Sequence, residues 1–157
     1  SGVPYNSNAG GWAESDARKY LNETFFEFLP ESLRNAIVAV DKTTGIGGGS
    51  STTSVTSDKI WIPSEVEMTG SSTNSASGEG TQYPYFNTAW TNGYKTWQRY
   101  YGPLRSPNLY NTSSMIKNPN TGASETSNST NSFLFANGFI GAIEPTTSFN
   151  QLICFCI

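Results

Sequence analysis

Between Ala17 and Phe28 the side chains that can face a core return every three to four residues. Ala17, Tyr20, Leu21, Thr24, Phe25 and Phe28 share one stripe of a helix predicted over 16–26. Ser15 suits the N-cap, and Asp16 sits in the first turn, where the helix dipole favours negative charge. Pro30 breaks this helix and opens a short second one from Glu31 to about Ile37, with Leu33 and Ile37 facing inward. Residues 38–44 read as extended. The Gly/Ser/Thr run 45–57 has almost nothing to bury and reads as a displayed loop. A short strand closed by proline is expected over 58–63. Ser64 with Glu67 three residues later matches a capping box. Residues 70–82 form a second low-complexity stretch.

The second half changes character. Tyr83, Tyr85, Phe86, Trp90, Tyr94, Trp97, Tyr100 and Tyr101 crowd one zone, which runs into a buried strand over 102–107. Short β segments then alternate with turn signals at 118–122, 136–138 and 145–147. Asn137-Gly138 between apolar runs predicts a hairpin. Residues 152–157 are apolar throughout, as in a central strand buried on both faces. Helices first and strands afterwards point to a single α+β domain spanning 1–157.

Composition narrows the function classes. Charged residues are only 13% of the 157, with a formal net charge of -3, so the basic footprint of a nucleic-acid binder is missing. Ser, Thr, Asn and Gly replace charge, and 13% aromatic content argues for a folded chain in an extracellular or virion setting. No apolar run approaches the ~20 residues of a membrane helix, and no signal-peptide pattern opens the chain. The chain contains no histidine, which removes Ser-His-Asp and Cys-His nucleophile systems and the usual zinc sites. Cys154 and Cys156 would share one strand face, too parallel for a relaxed disulfide, and are expected as reduced thiols. Nothing beside them in sequence would lower a thiol pKa.

Four motifs occur in a recognisable order: Trp12-x-x-Ser15-x-x-Arg18-x-x-Leu21-Asn22, residues 58–64 ending in Pro63-Ser64 with Glu67 beyond, Leu104-Arg105-Ser106-Pro107, and a terminal Phe155-Cys156-Ile157. This order resembles an uncharacterised domain family of phage tail and bacterial surface proteins. That family is related in fold to the formylglycine-generating enzyme and to the C-type-lectin-like variable domains of phage tropism determinants. The resemblance implies a C-type-lectin-like fold, two helices followed by a β-rich half with long loops. It also implies a location on a virion tail or bacterial surface. Members usually open with a strand pair ahead of the Trp12 region. The domain is therefore expected to be the C-terminal part of a longer protein, with the missing strands supplied by another segment or subunit. Tyr100-Tyr101 and an inserted Gly102-Pro103 stand where members carry a bulky pair.

Arg18 and Arg105 are expected as structural donors, pairing with carboxylates among Asp16, Asp58 and Glu67. Glu65 and Glu67 could suggest a two-carboxylate glycosidase, but a helix first turn explains them more simply. Glu144-Pro145-Thr146 is a poor match to a sugar-binding calcium loop. The sequons at Asn22, Asn111 and Asn128 arise easily in so Asn-, Ser- and Thr-rich a chain. No catalytic residue, metal or cofactor is expected.

The aromatic zone is the leading candidate for recognition, because flat rings stack on sugars and anchor protein interfaces at low entropic cost. Phe86, Trp61 and at least one of Trp90 and Trp97 are expected in the core. Trp90, Tyr94, Trp97, Tyr100, Tyr101, Asn108, Tyr110 and Asn111 form the candidate ligand-binding set, with Tyr94 exposed. The expected function is non-enzymatic binding of a host-surface glycan or protein. The alternative is a structural or decoration module whose aromatic face packs on a neighbouring subunit, including a second copy of the chain.

Overall fold

A computed structural model describes residues 8–109, 113–117, 124–128, 133–137, 140–143 and 152–157. The chain begins with α1 (Gly11–Glu14) and α2 (Asp16–Lys19), which continues through a π-helical turn over Tyr20–Phe25 into α3 (Phe26–Phe28). Ser15 caps α2 by accepting the Arg18 amide at 3.2 Å. The π turn corrects the predicted apolar stripe. Its wider i→i+5 spacing brings Leu21 and Phe26 into the core, while Tyr20, Thr24 and Phe28 face solvent. After Pro30, α4 (Glu31–Ala36) ends at Ile37, which is buried, with Leu33 packed beside it.

β1 (Val40–Gly45) pairs antiparallel with β2 (Thr53–Asp58) in unbroken register from Val40 opposite Asp58 to Gly45 opposite Thr53. The run 45–57 is therefore largely a hairpin and not a displayed loop. Its Thr and Val residues are strand formers, and Gly47, Gly48 and Gly49 make the reversal with positive φ. A side chain at Gly47 would place its Cβ 1.8 Å from the Asn8 carbonyl oxygen.

Of the strand expected over 58–63, Asp58 closes β2 opposite Val40, and the remainder meets a ladder among the described residues at a bridge from Trp61 to Cys154. Its flanking backbone is satisfied by side chains instead. The Asn22 carboxamide accepts the Lys59 and Ile60 amides at 2.8 and 3.1 Å and donates to the Ile60 carbonyl at 2.8 Å. Ile60, Trp61 and Ile62 are all buried, so the segment has the apolar run of a central strand without one's neighbours.

α5 (Glu65–Thr69) and α6 (Pro84–Asn87) follow, then a small hairpin of β3 (Ala89–Thr91) and β4 (Tyr94–Lys95) and a 3-10 turn over Thr96–Arg99. β5 (Tyr101–Pro107) belongs to an antiparallel sheet ordered β5-β8-β9, with β8 (Phe133–Asn137) and β9 (Ile140–Ile143). β6 (Ser113–Lys117) and β7 (Ser124–Asn128) form a separate hairpin. The β8–β9 pairing flanks the expected Asn137-Gly138 turn, and β6–β7 flanks the one at 118–122. The turn at 145–147 and Glu144 lie outside the described residues. Residues 152–157 are not a central strand. Their ladder contacts are two bridges, Trp61–Cys154 and Val38–Cys156; Leu152, Ile153 and Cys154 pack against the apolar clusters, while Phe155, Cys156 and Ile157 are exposed. Among the described residues, no helix is long and apolar enough to cross a membrane. The chain is a mixed helix-and-strand α+β protein.

Two apolar clusters result. One gathers Trp12, Leu21, Phe26, Ile37, Ile60, Trp61 and Ile62. The other gathers Met68, Phe86 and Leu104 with Tyr83, Trp97, Tyr100 and Leu152 against them. Asp58 is fully buried beside the first. It accepts from the Trp12 indole N–H at 2.7 Å, from Arg18 Nε at 2.7 Å and from the Thr56 hydroxyl at 2.6 Å. An uncompensated Trp12 N–H and Arg18 would remain without it. Asp58→Ala is expected to cost about 3–5 kcal/mol and Thr56→Ala about 1 kcal/mol, read by urea unfolding of the two variants.

Candidate functional site

Alternation along β1 points Lys42 and Thr44 to one side, and both are buried. Arg105 in β5 reaches the same place. Its Nε donates to Thr44 Oγ1 at 2.9 Å, one terminal nitrogen to Glu67 Oε2 and to the Ile62 carbonyl at 3.2 Å, and the other to the Thr43 and Glu79 carbonyls at 3.3 and 2.9 Å. A guanidinium has five N–H donors, and all five are engaged inside the protein. Glu67 is shared by two cations, with Lys42 Nζ on Oε1 and Arg105 on Oε2. The same carboxylate completes the capping box of α5. The Ser64 amide donates to Glu67 Oε2 at 3.1 Å, and Ser64 Oγ accepts the Glu67 amide at 3.1 Å. Of the three acids considered as partners, Arg105 takes Glu67 and Arg18 takes Asp58, while Asp16 is exposed.

Two further buried carboxylates organise the stretch 70–82, which is therefore more than a low-complexity loop. Glu65 accepts the Asn74 amide at 3.0 Å, the Asn74 carboxamide at 2.8 Å and the Ser75 hydroxyl at 2.8 Å. Glu79 accepts the Gly45 amide at 2.8 Å and the Ser106 hydroxyl. The Ser106 oxygen in turn accepts the Glu65 amide at 2.8 Å. Lys42, Thr44 and Glu79 were not among the residues singled out in the sequence, and Ser106 stood there only within the Leu104-Arg105-Ser106-Pro107 motif. Lys42 and Thr44 were signalled only by their i, i+2 spacing in a polar strand, and Glu79 sits in a run of small residues that carries no periodic signal.

The electrostatics of the two acids diverge. Burial works to raise the Glu67 pKa, but the Arg105 and Lys42 charges and hydrogen bonds outweigh it and hold the carboxyl below its ordinary range. For Glu79 burial prevails over the Ser106 and Gly45 hydrogen bonds and the Arg105 charge, and the carboxyl lies above its ordinary range. Cys154 is half-buried, and burial followed by the Glu67 charge pushes its thiol up to about 11. It is a protonated thiol at neutral pH. Cys156 is also a free thiol.

The candidate ligand-binding residues do not form one surface. Trp97 and Tyr100 pack against the Met68–Phe86–Leu104 cluster. The Tyr100 hydroxyl donates to the Pro103 carbonyl at 3.3 Å and accepts the Leu152 amide at 3.1 Å, which makes it an internal clamp. Asn108 is buried, so it belongs to the interior and not to a recognition loop; the Leu109 amide beside it donates to the Asn74 carbonyl at 3.0 Å. Tyr94 is 52% exposed. It follows the Asn92–Gly93 turn, where both residues have positive φ, the geometry favoured in two-residue hairpins. The turn is held from behind by a Thr88–Thr96 hydroxyl contact at 2.7 Å and by Lys95 Nζ donating to the Asn87 carbonyl at 3.0 Å. Tyr110 and Asn111 lie outside the described residues, as do the side chains of Trp90 and Tyr101. The Asn22 carboxamide, one of the sequon positions, is committed to the Ile60 backbone.

These features belong to an α+β domain with a buried ionic centre and an aromatic hairpin at its surface. Residues 2–135 match the family described as Domain of unknown function (DUF6273), and the chain belongs to that family. No curated protein and no solved structure matches it.

The opposite displacements of Glu67 and Glu79 give opposite pH dependences. A depressed acid contributes stability above its ordinary pKa and loses it as pH falls through the lowered value. A raised acid contributes below its ordinary pKa and loses it as pH rises through the higher value. Glu67→Gln, which leaves two cations unmatched, is expected to lose about 3 kcal/mol at pH 7.5, and the deficit should narrow below pH ~4. Glu79→Gln is expected to match or exceed the parent at pH 7.5. Denaturant titrations of both variants across that range check the contrast.

Proposed function

We propose that this chain is a non-enzymatic recognition domain with a C-type-lectin-like fold, carried by a phage tail or bacterial surface protein and binding a host-surface glycan or protein. The observation that carries this reading is the β3–β4 hairpin. It holds Tyr94 outward beside Asn92, Gly93 and Lys95, all exposed, on a base fixed by hydrogen bonds. Tyr85, on the neighbouring α6, is exposed as well. A tyrosine on a rigid turn offers a flat apolar face and one hydroxyl with little ordering entropy left to lose. Lys42, Glu67 and Arg105 are spent on one another inside, and the hairpin offers a ring, an amide and the exposed Lys95 side chain.

A second reading is favoured by a different patch. Val38 is 52% exposed and bridges Cys156, whose neighbours Phe155 and Ile157 are exposed too. Such a patch suits contact with a neighbouring subunit in a virion or surface assembly. On the first reading, the purified domain binds cells or arrayed glycans and Tyr94→Ala weakens that binding at least tenfold with unfolding free energy unchanged. No binding to any cell or glycan counts against it. A stable oligomer by light scattering, dispersed by Val38→Asp, selects the second.

A further inference from the structure

An open recess of about 530 Å³ lies where residues 152–157 cross between β1 and the Trp61 segment. Val40, Trp61, Ile153 and Phe155 line it together with Lys42, Tyr83 and the two cysteines. The Lys42 side chain is 9% exposed, and its ammonium lies 4.6 Å from the centre of the Trp61 ring and 5.6 Å from that of Tyr83. An ammonium has three N–H donors. Glu67 takes one and the Tyr83 hydroxyl takes another at 3.1 Å. Among the described residues no acceptor meets the third.

Arg105, which shares the Glu67 carboxylate with Lys42, has every donor engaged inside the protein. The unspent donor therefore belongs to Lys42. The Tyr83 hydroxyl oxygen accepts from Lys42 and from the Trp61 indole N–H at 3.0 Å, and its own O–H is hydrogen-bonded to Glu67. The Cys154 thiol, also at the recess, is neutral and places no competing anion beside the ammonium.

We propose that this recess is a binding site for a small carboxylate with a flat apolar body, an aryl or short-alkyl acid, whose head group accepts from Lys42 Nζ while its body lies against Trp61 between Val40 and Ile153. The site is separate from the Tyr94 hairpin and takes a different class of ligand. A charge-assisted hydrogen bond made inside an apolar recess is stronger than the same contact in water. It is also selective, because a neutral head gains less and a cationic head meets repulsion.

The full chain, labelled with nitrogen-15, would be titrated with phenylacetate, 2-phenylethanol and phenethylammonium. Phenylacetate is expected to move the Trp61 indole N–H resonance and to bind at least tenfold more tightly than 2-phenylethanol, with phenethylammonium weakest. Ile153→Trp, which fills the recess, should abolish the shift while leaving the rest of the spectrum in place. Val40→Phe serves the same purpose if Ile153→Trp does not fold. Equal binding of the three probes, no movement of the Trp61 indole, or phenylacetate binding that survives a filled recess would overturn the proposal. The ranking in the parent chain decides it even without a variant.

Discussion

One carboxylate, that of Glu67, stands between two cations in the interior, and four segments meet on it. Lys42 arrives from β1, Arg105 from β5, the capped first turn of α5 supplies Glu67 itself, and Arg105 carries the contact on to the Glu79 carbonyl. Ionising these groups away from water costs several kcal/mol each, and the cost is offset only where every donor and acceptor is matched. Matching is close here: the guanidinium is saturated, and the carboxylate takes Arg105, Lys42 and a backbone amide. Because a half-satisfied network is worse than an apolar one, the geometry of all four segments is fixed together. That constraint ties together the two separate apolar clusters found among the described residues.

The same constraint orders a stretch that ought to be mobile by composition. Residues 70–82 offer few apolar atoms, yet Ser75, Ala76 and Glu79 are buried. Glu65 grips the Asn74 and Ser75 end, and Glu79 returns to Gly45 and Ser106 at the other. Burying three carboxylates within fifteen residues raises the electrostatic stakes, and the raised Glu79 pKa records how incompletely that is relieved. Near the aromatic zone the surface carries the polar, ring-bearing β3–β4 hairpin, with Lys95 and Arg99 exposed.

The local signals were legible in the sequence. Ser15 and Ser64 cap helices because their hydroxyls reach the third amide, a rule that needs no tertiary information. The partner of Arg105 could be narrowed to three acids but not to Glu67, since the choice depends on which strand lies alongside. The β1–β2 hairpin was hidden because its residues are polar on both faces. Hydrophobic alternation, the usual strand signal, is replaced there by Lys42 and Thr44 pointing to a charged interior. The π turn escaped a 3.6-residue periodicity by construction, and its extra residue is what turned Tyr20 and Phe28 outward. Residues 152–157 misled in the other direction, being apolar like a central strand while lying at an edge. In the aromatic zone, sequence separated neither Trp97 and Tyr100, which pack inside, nor Asn108, which is buried, from Tyr94, which is displayed.

Amide hydrogen exchange in the native state tests the central claim, that the buried carboxylate network fixes β1, α5, residues 70–82 and β5 together. The Gly45, Ser64, Glu65 and Asn74 amides each donate to a carboxylate, or to a hydroxyl held by one. The account predicts that all four exchange only through global unfolding, with the same free energy as the Ile60 and Trp61 core amides. Exchange of the Asn74 and Gly45 amides by local opening, several kcal/mol below the global value, would contradict it.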